Sequence, residues 1–377
     1  MPKNNRTVMD KAYLTGTQVE LVCEIIKKWY GHGYPDYSPE LRRAIARTAE
    51  QGLFNEADIH HSLKAHVEAM DRQSLKKWVE NGVSGSEERK KSPVVLCLHA
   101  GNFPLAGLQN AMGVLLSGAE YWGKLSSNDP WLLDSFLRVA SEHELPNLAE
   151  WSTDLGRLES ESPCDAVLFA GDPTSLPSLR AELERQHKTN ANTRFLIRTT
   201  HYSVAYLYEL TSEKLDQLTE AMVRYEGLGC RSVAAVVTPR PLEDCRLELQ
   251  QIMRGYVKEI PPRHLQHDNM KYQMAYNQAR EVTQLYAPPF LLQEAEEPVV
   301  REGEVFWLRG GVERLWEFVT ERRQEIQTVY SDRPEALQRD LNVEQPVEAL
   351  SEAQSPSIDW RPDGVDTIEW IWNNLVH

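Results

Sequence analysis

The chain has 377 residues, enough for two or three domains and a sizeable core. Its 41 lysines and arginines against 56 acidic residues leave a formal charge of −15, which repels phosphate backbones and anionic lipid, so no nucleic-acid partner is expected. Apolar runs such as PVVLCL and AMGVLL are too short to span a bilayer, and five irregularly spaced cysteines without a C-x-x-C pair argue against a disulfide framework or zinc ribbon.

The opening MPKNNRTVMDKAYL lacks the apolar core of a secretory signal and is neither Arg-rich nor acid-free, so a cytoplasmic protein is expected. From Thr17 to Tyr30, Val19, Val22, Ile26 and Trp29 or Tyr30 recur at helical spacing and predict one buried stripe. A second helix is expected from Pro39, with Ser38 as its cap, and a third in NEADIHHSLKAHVEAM after the break at Gly52. His60 and His61 read as its solvated face. The small, charged VSGSEERKKS then separates this all-helical region from a different pattern.

PVVLCL, a continuous apolar run, predicts a strand buried on both faces, followed by a helix in LQNAMGVLL. EYWGK, DAVLFA, RFLI, SVAYL and SVAAVV are further strands, alternating with helices at Trp131–His143, Leu176–Gln186 and Ser212–Tyr225. This alternation predicts an α/β architecture with a mostly parallel sheet. The last fifty residues read as acidic and loop-like, with VDTIEWIWNNLV docking as a final strand or short helix.

Ligands of open α/β sheets bind at the carboxyl ends of strands, which directs attention to the residues after PVVLCL and DAVLFA. The first run continues HAGNFPLAGL, where Gly101 allows close approach and Asn102 offers an amide donor. The second continues AGDPTSLPSLR, where Gly171, Thr174 and Ser175 bracket a helix start suited to a pyrophosphate. Neither is a G-x-G-x-x-G or P-loop match, so both remain open between ligand sites and structural turns. Lys124, ending EYWGK, could reach a phosphate or ribose, or simply be solvated. Cys230, in YEGLGCRSV, lies among glycines beside Arg231 at an element junction, a setting for either a nucleophile or a small buried hydrophobe. Cys23 and Cys97 fit buried hydrophobes, and Cys245 an ordinary, partly exposed thiol. His264 and His267, with Asp268 adjacent, have no E-x-x-H partner, and no metal site is assigned.

Taken in order, these motifs resemble the aldehyde dehydrogenase superfamily, and within it the short LuxC-type acyl-CoA reductases. AGNFPLAGL resembles the P-W-N-F-P segment, KLSS the K-P-S-E segment, AGDPTSL the G-S-T-x-x-G loop and GLGCRS the cysteine motif; KLSSNDP, YEGLGCRSV and DGVDTIEWI point to the LuxC branch. The resemblance implies a Rossmann-type cofactor domain plus an α/β catalytic domain. Its divisions are residues 1–90 (helical N-terminal region), 91–207 (dinucleotide-binding core), 208–345 (catalytic domain carrying Cys230) and 346–377 (tail). It also implies a nucleophilic Cys230, Asn102 as oxyanion donor, Lys124, Ser126 and Ser127 at the adenosine ribose, and Gly171, Thr174 and Ser175 at the pyrophosphate.

The implied activity is reduction of an acyl-CoA to an aldehyde through an acyl-Cys230 intermediate. Alternatives are an oxidative aldehyde or semialdehyde dehydrogenase and a weakly active acyl-accepting subunit of a complex. Expected partners are an acyl-CoA or acyl-protein donor, an acyl-activating protein and further copies of the chain. Two departures from the superfamily bear on the chemistry. Arg198 stands where hydrolytic members carry a water-activating glutamate, with His201 as a substitute base or a structural residue. Ser127 replaces a glutamate that would repel a ribose 2′-phosphate, favouring NADPH, with NADH also possible. Glu302 and Glu304 are the candidates for a second glutamate, at the nicotinamide ribose.

Overall fold

The computed structural model describes residues 10–83, 92–158, 162–199, 201–263, 268–341 and 346–375. It divides into two compact units: unit 1 runs to Thr200 and resumes at Ser357, and unit 2 spans His201–Pro356.

Unit 1 opens with helices α1 (Lys11–Tyr13), α2 (Val19–Tyr30), α3 (Pro39–Glu50), α4 (Glu56–Ala69) and α5 (Arg72–Gly82). Ser38 caps α3 as expected, its hydroxyl accepting from the Leu41 amide at 3.2 Å. The rest of the unit alternates β1 (Val94–Leu98), α6 (Leu108–Leu116), β2 (Glu120–Lys124), α7 (Leu132–Glu142), β3 (Leu148–Ser152), β4 (Ala166–Gly171), α8 (Leu176–Arg185) and β5 (Arg194–Thr199). The five strands are all parallel, in the order β3-β2-β1-β4-β5, which places a topological switch point between β1 and β4. The continuous apolar run of β1 serves both faces: Val95 and Cys97 enter the large helical core, Leu96 and Leu98 the smaller core with Leu183.

Unit 2 holds β6 (Tyr202–Tyr206), α9 (Ser212–Val223), β7 (Val233–Thr238), α10 (Arg246–Glu259), α11 (Asp268–Ala279), β8 (Gln284–Ala287), β9 (Phe290–Glu294), β10 (Glu304–Arg309), α12 (Val312–Glu321), β11 (Ile326–Ser331), α13 (Pro334–Leu341) and β12 (Val347–Ala349). Its seven strands follow β12-β11-β6-β7-β10-β9-β8, parallel except for the β8–β9 pair. Here too the central strands feed two cores, Ala205 on one face of β6 and Val204 and Tyr206 on the other.

Several expectations change. SVAYL, placed before the boundary at 207, forms β6 of the second sheet, because its partners are β7 and β11. The acidic final stretch is ordered rather than loop-like, with β11, α13 and β12 in unit 2, and α14 (Thr367–Leu375) in unit 1. Its apolar residues Leu337, Leu350, Ile368 and Trp372 are buried, and so is Asp366, which accepts from the Trp78 indole. Cys245 is buried, its thiol donating to the Leu242 carbonyl at 3.7 Å, and burial pushes it up to about 12. Cys97 is buried as expected, whereas Cys23 is only half-buried. His60 stacks on Tyr37 at 5.5 Å rather than facing water.

Candidate active site

In unit 1 the candidate residues gather at the C-terminal edge of the sheet. A Cβ at Gly101 would come within 2.6 Å of the Ser126 Cβ, so the loops after β1 and β2 touch at a point only glycine permits. Asn102 is exposed beside this contact. Lys124 ends β2 opposite Leu98, with its carbonyl accepting from the His99 amide at 3.0 Å. Ser126 is half-buried, its hydroxyl accepting from the Asn128 amide at 3.2 Å, and Ser127 is exposed. Gly171 ends β4 across the switch point.

Thr174 and Ser175 lie in a single 3₁₀ turn, Pro173–Ser175, and both are exposed. The Asp172 carboxylate accepts from the Thr174 amide and hydroxyl, each at 2.8 Å, and these bonds hold its carboxyl below the usual range. A fixed negative charge therefore occupies the turn expected to receive a pyrophosphate.

Two buried ionisable groups escaped sequence reasoning. His99, just past β1, has Nε2 at 2.8 Å from the Tyr121 hydroxyl, and burial, with a smaller contribution from Lys124, lowers it to about 3. Asp129 is 4% exposed; burial raises it to about 6, against the pull of hydrogen bonds from the Leu105 and Leu132 amides. The signal available in the sequence was proximity alone, since both residues adjoin the singled-out motifs.

In unit 2 the thiol precedes its strand. The chain leaves α9 through Tyr225, Glu226 and Gly227, with φ of 53°, 59° and 70°. This left-handed run costs about 1 kcal/mol at each non-glycine residue. The Glu226 carboxylate accepts from the Arg263 amide at 2.8 Å. Cys230 follows, half-buried, its carbonyl accepting from the Ser203 hydroxyl at 3.0 Å. Arg231 is buried and donates to the Ala353 carbonyl (2.8 Å), the Glu352 carbonyl (2.9 Å) and Glu348 Oε2 (2.8 Å). Burial opposes its charge, but Tyr330, Glu348 and Cys230 more than restore it.

Because β6, β7 and β10 are adjacent and parallel, His201, Cys230 and Glu304 fall on the same N-terminal edge. Glu304 is buried and accepts from Gln293 Nε2 at 3.0 Å, whereas Glu302 is exposed. Arg198 belongs to unit 1, where its buried guanidinium bonds Asn110, the Val365 carbonyl and the Thr367 hydroxyl, the latter two at 3.0 Å.

No family model matches the sequence, and no curated protein matches it. Solved structures do. Aldehyde dehydrogenase 21 from Physcomitrella patens, in complex with the reaction product succinate, superposes with a TM-score of 0.63 at 11% identity, over 97% of this chain and 85% of that one. The NADP-dependent glyceraldehyde-3-phosphate dehydrogenase from Bacillus halodurans, complexed with NADP, gives 0.54 at 11% identity over 90% and 80%. Proline utilization A from Corynebacterium freiburgense gives 0.61 at 11% over 87% of this chain and 38% of that protein.

The chain has the aldehyde dehydrogenase fold.

On that fold, the motifs after β1, β2 and β4 occupy the switch-point edge of unit 1, and the cysteine motif the N-terminal edge of unit 2. Among the described residues no group of three or more His, Cys, Asp or Glu could hold a metal ion; His264 and His267 lie outside them. No described helix is long and apolar enough to cross a membrane.

Proposed function

We propose that the protein is an NADPH-dependent acyl-CoA reductase that forms an aldehyde through an acyl-Cys230 intermediate. One observation supports this over a hydrolytic dehydrogenase. By the motif resemblance the place of the water-activating glutamate falls to Arg198, and that residue is a cation buried among Asn110, Val365 and Thr367. An acyl-enzyme with no carboxylate to activate water there persists until it is reduced.

The Cys230 thiolate adds to the thioester carbonyl, whose π electrons move onto oxygen as an oxyanion; its collapse breaks the bond to CoA, which leaves as a thiolate and takes a proton from solvent. Asn102 donates its amide to the oxyanion, a contact of a kind that contributes about 3 kcal/mol to the barrier. Arg231, next in sequence, keeps positive charge beside the thiolate. NADPH held at the switch-point edge of unit 1 would supply the hydride that takes the acyl group to the aldehyde level, with Cys230 as the leaving group, departing as a thiolate with the electrons of the carbon–sulfur bond.

Lys124 and Ser126 fit the adenosine ribose, being polar groups at the C-terminal end of β2 beside the switch point, and Ser127 leaves room for a 2′-phosphate. Thr174 and Ser175 fit a pyrophosphate poorly, because Asp172 holds the Thr174 amide and hydroxyl. The cofactor is accordingly held mainly from its ribose end, with Gly171 permitting close approach. We place the protein in the cytoplasm as a homo-oligomer, with an acyl-CoA or an acyl-activating partner protein as the donor. Unit 1 carries the cofactor role and unit 2 the thiol.

The decisive experiment follows NADPH oxidation with a panel of acyl-CoAs, trapping the aldehyde, with Cys230→Ala alongside. Oxidation that disappears in the variant is the expected result. Tight NADPH binding without turnover at any chain length shifts the donor to an acyl-protein, and failure to bind either nicotinamide cofactor overturns the proposal.

A further inference from the structure

The loop carrying Asn102 is fastened on both sides of that residue. Before it, Gly101 lies against Ser126, and after it the Pro104 carbonyl accepts from the Ser62 hydroxyl at 2.6 Å. Leu105 comes next, with φ of 61° and a fully buried side chain, a left-handed conformation that an L-residue keeps only where its surroundings hold it. Its amide donates to Asp129 Oδ2 at 2.8 Å. The other oxygen, Oδ1, accepts from the amide of Leu132, the first residue of α7, at 3.3 Å. One buried carboxylate thus joins the strained turn of the Asn102 loop to a helix start, at a position where burying a charge is costly without such bonds.

We propose that Asp129 is a positioning residue for oxyanion stabilisation: its carboxylate fixes Leu105, and through it the direction of the Asn102 amide. The inference rests on the role given above to Asn102. A merely structural Asp129 would support α7, whose N-cap residue Trp131 supplies no side-chain hydrogen bond, without bearing on Asn102. The two roles separate in a double-mutant cycle.

The test measures CoA released in the first turnover with excess acyl-CoA, for the wild type, Asn102→Ala, Asp129→Ala, Asp129→Asn and the Asn102→Ala/Asp129→Ala pair. Amide exchange at Leu105 and NADPH affinity are read on the same proteins. Asp129→Ala is expected to slow acylation about 100-fold, as a misplaced oxyanion donor does. Asp129→Asn, which keeps one acceptor, slows it about tenfold. The double variant should be no slower than the slower single variant, with Leu105 exchange accelerated and NADPH affinity within about threefold of wild type. Additive losses, or normal acylation in Asp129→Ala, overturn the assignment to Asp129. A wild type that releases no CoA overturns the acylation chemistry itself, and with it the role of Asp129. If Asp129→Ala does not fold, the comparison of Asp129→Asn with its own Asn102→Ala double decides the same question.

Discussion

The two sheets carry their candidate residues at opposite ends of their strands. In unit 1 Asn102 follows β1, and Lys124 and Gly171 end β2 and β4, at the edge where parallel strands meet helix N-termini and a switch point opens a crevice. In unit 2 Cys230 and His201 precede β7 and β6, and Glu304 begins β10. That edge receives the C-terminal end of α9, whose dipole disfavours an anion. The difference shows what each edge must supply. The first is electropositive through its backbone, and the protein uses side chains to hold loops in place. On the proposed chemistry the second needs a cation beside Cys230, and Arg231 is the neighbouring one.

The largest expected effect lies at the second edge. Cys230→Ala should abolish turnover, a loss of at least about 10⁴-fold in kcat, while NADPH binding persists at the first edge. Turnover surviving in this variant would break the division of labour. Arg231→Leu leaves Glu348 and two carbonyls without their donor and should cost about 3 kcal/mol of stability, measured by denaturant unfolding. The same variant should slow alkylation of Cys230 relative to Cys23, which is half-buried and a fairer reference than the buried Cys245. Arg231→Lys keeps the charge but not the three-acceptor geometry, and should lose less in both measurements.

At the first edge, Asp172→Ser removes the charge that meets the pyrophosphate, and NADPH affinity measured by fluorescence titration should rise about threefold. Unchanged or weaker binding would mean that the cofactor avoids this turn.

The smallest effect in the wild type is a pH dependence of two opposed parts. Asp129, raised from 3.8 to about 6, contributes stability that is full below 3.8 and lost as pH rises through 6. His99, lowered from 6.5 to about 3, contributes stability present above 6.5 and lost as pH falls through 3. The two slopes oppose each other between about pH 4 and 6. Stability should therefore fall as pH rises over this window in His99→Gln and rise over it in Asp129→Asn, as read from denaturant midpoints. Parallel profiles in the two variants would exclude this origin.

The first half of the fold was legible because its elements carry strong local signals. LQNAMGVLL and EYWGK match α6 and β2 residue for residue, and the apolar run of β1 marks a doubly covered strand. The second half was less so. Strands β8 to β12 are three to six residues long, and several carry Gln or Glu among their apolar residues, so their assignment depends on neighbours far along the chain. The site divides in the same way. Asn102, Lys124, Gly171 and Cys230 sit in or beside turns within recognisable motifs, whereas the strap formed by Asp129 depends on burial that no local pattern encodes. Cys245 shows the converse: a charged neighbourhood in sequence, EDCRLE, conceals a side chain turned into the core.

The return of α14 to unit 1 has a consequence for synthesis. Trp78 Nε1 donates to Asp366 at 2.6 Å across 288 positions, and Arg198 reaches Val365 and Thr367 across the whole of unit 2. Unit 2 is one continuous segment and can fold as soon as it has left the ribosome, whereas unit 1, though begun first, cannot close its core until α14 is made. Since loop-closure entropy grows only with the logarithm of length, this late docking has a modest thermodynamic cost. Its main effect is one of timing: the helical face awaiting Ile368, Ile371 and Trp372 stays uncovered throughout translation of the inserted unit.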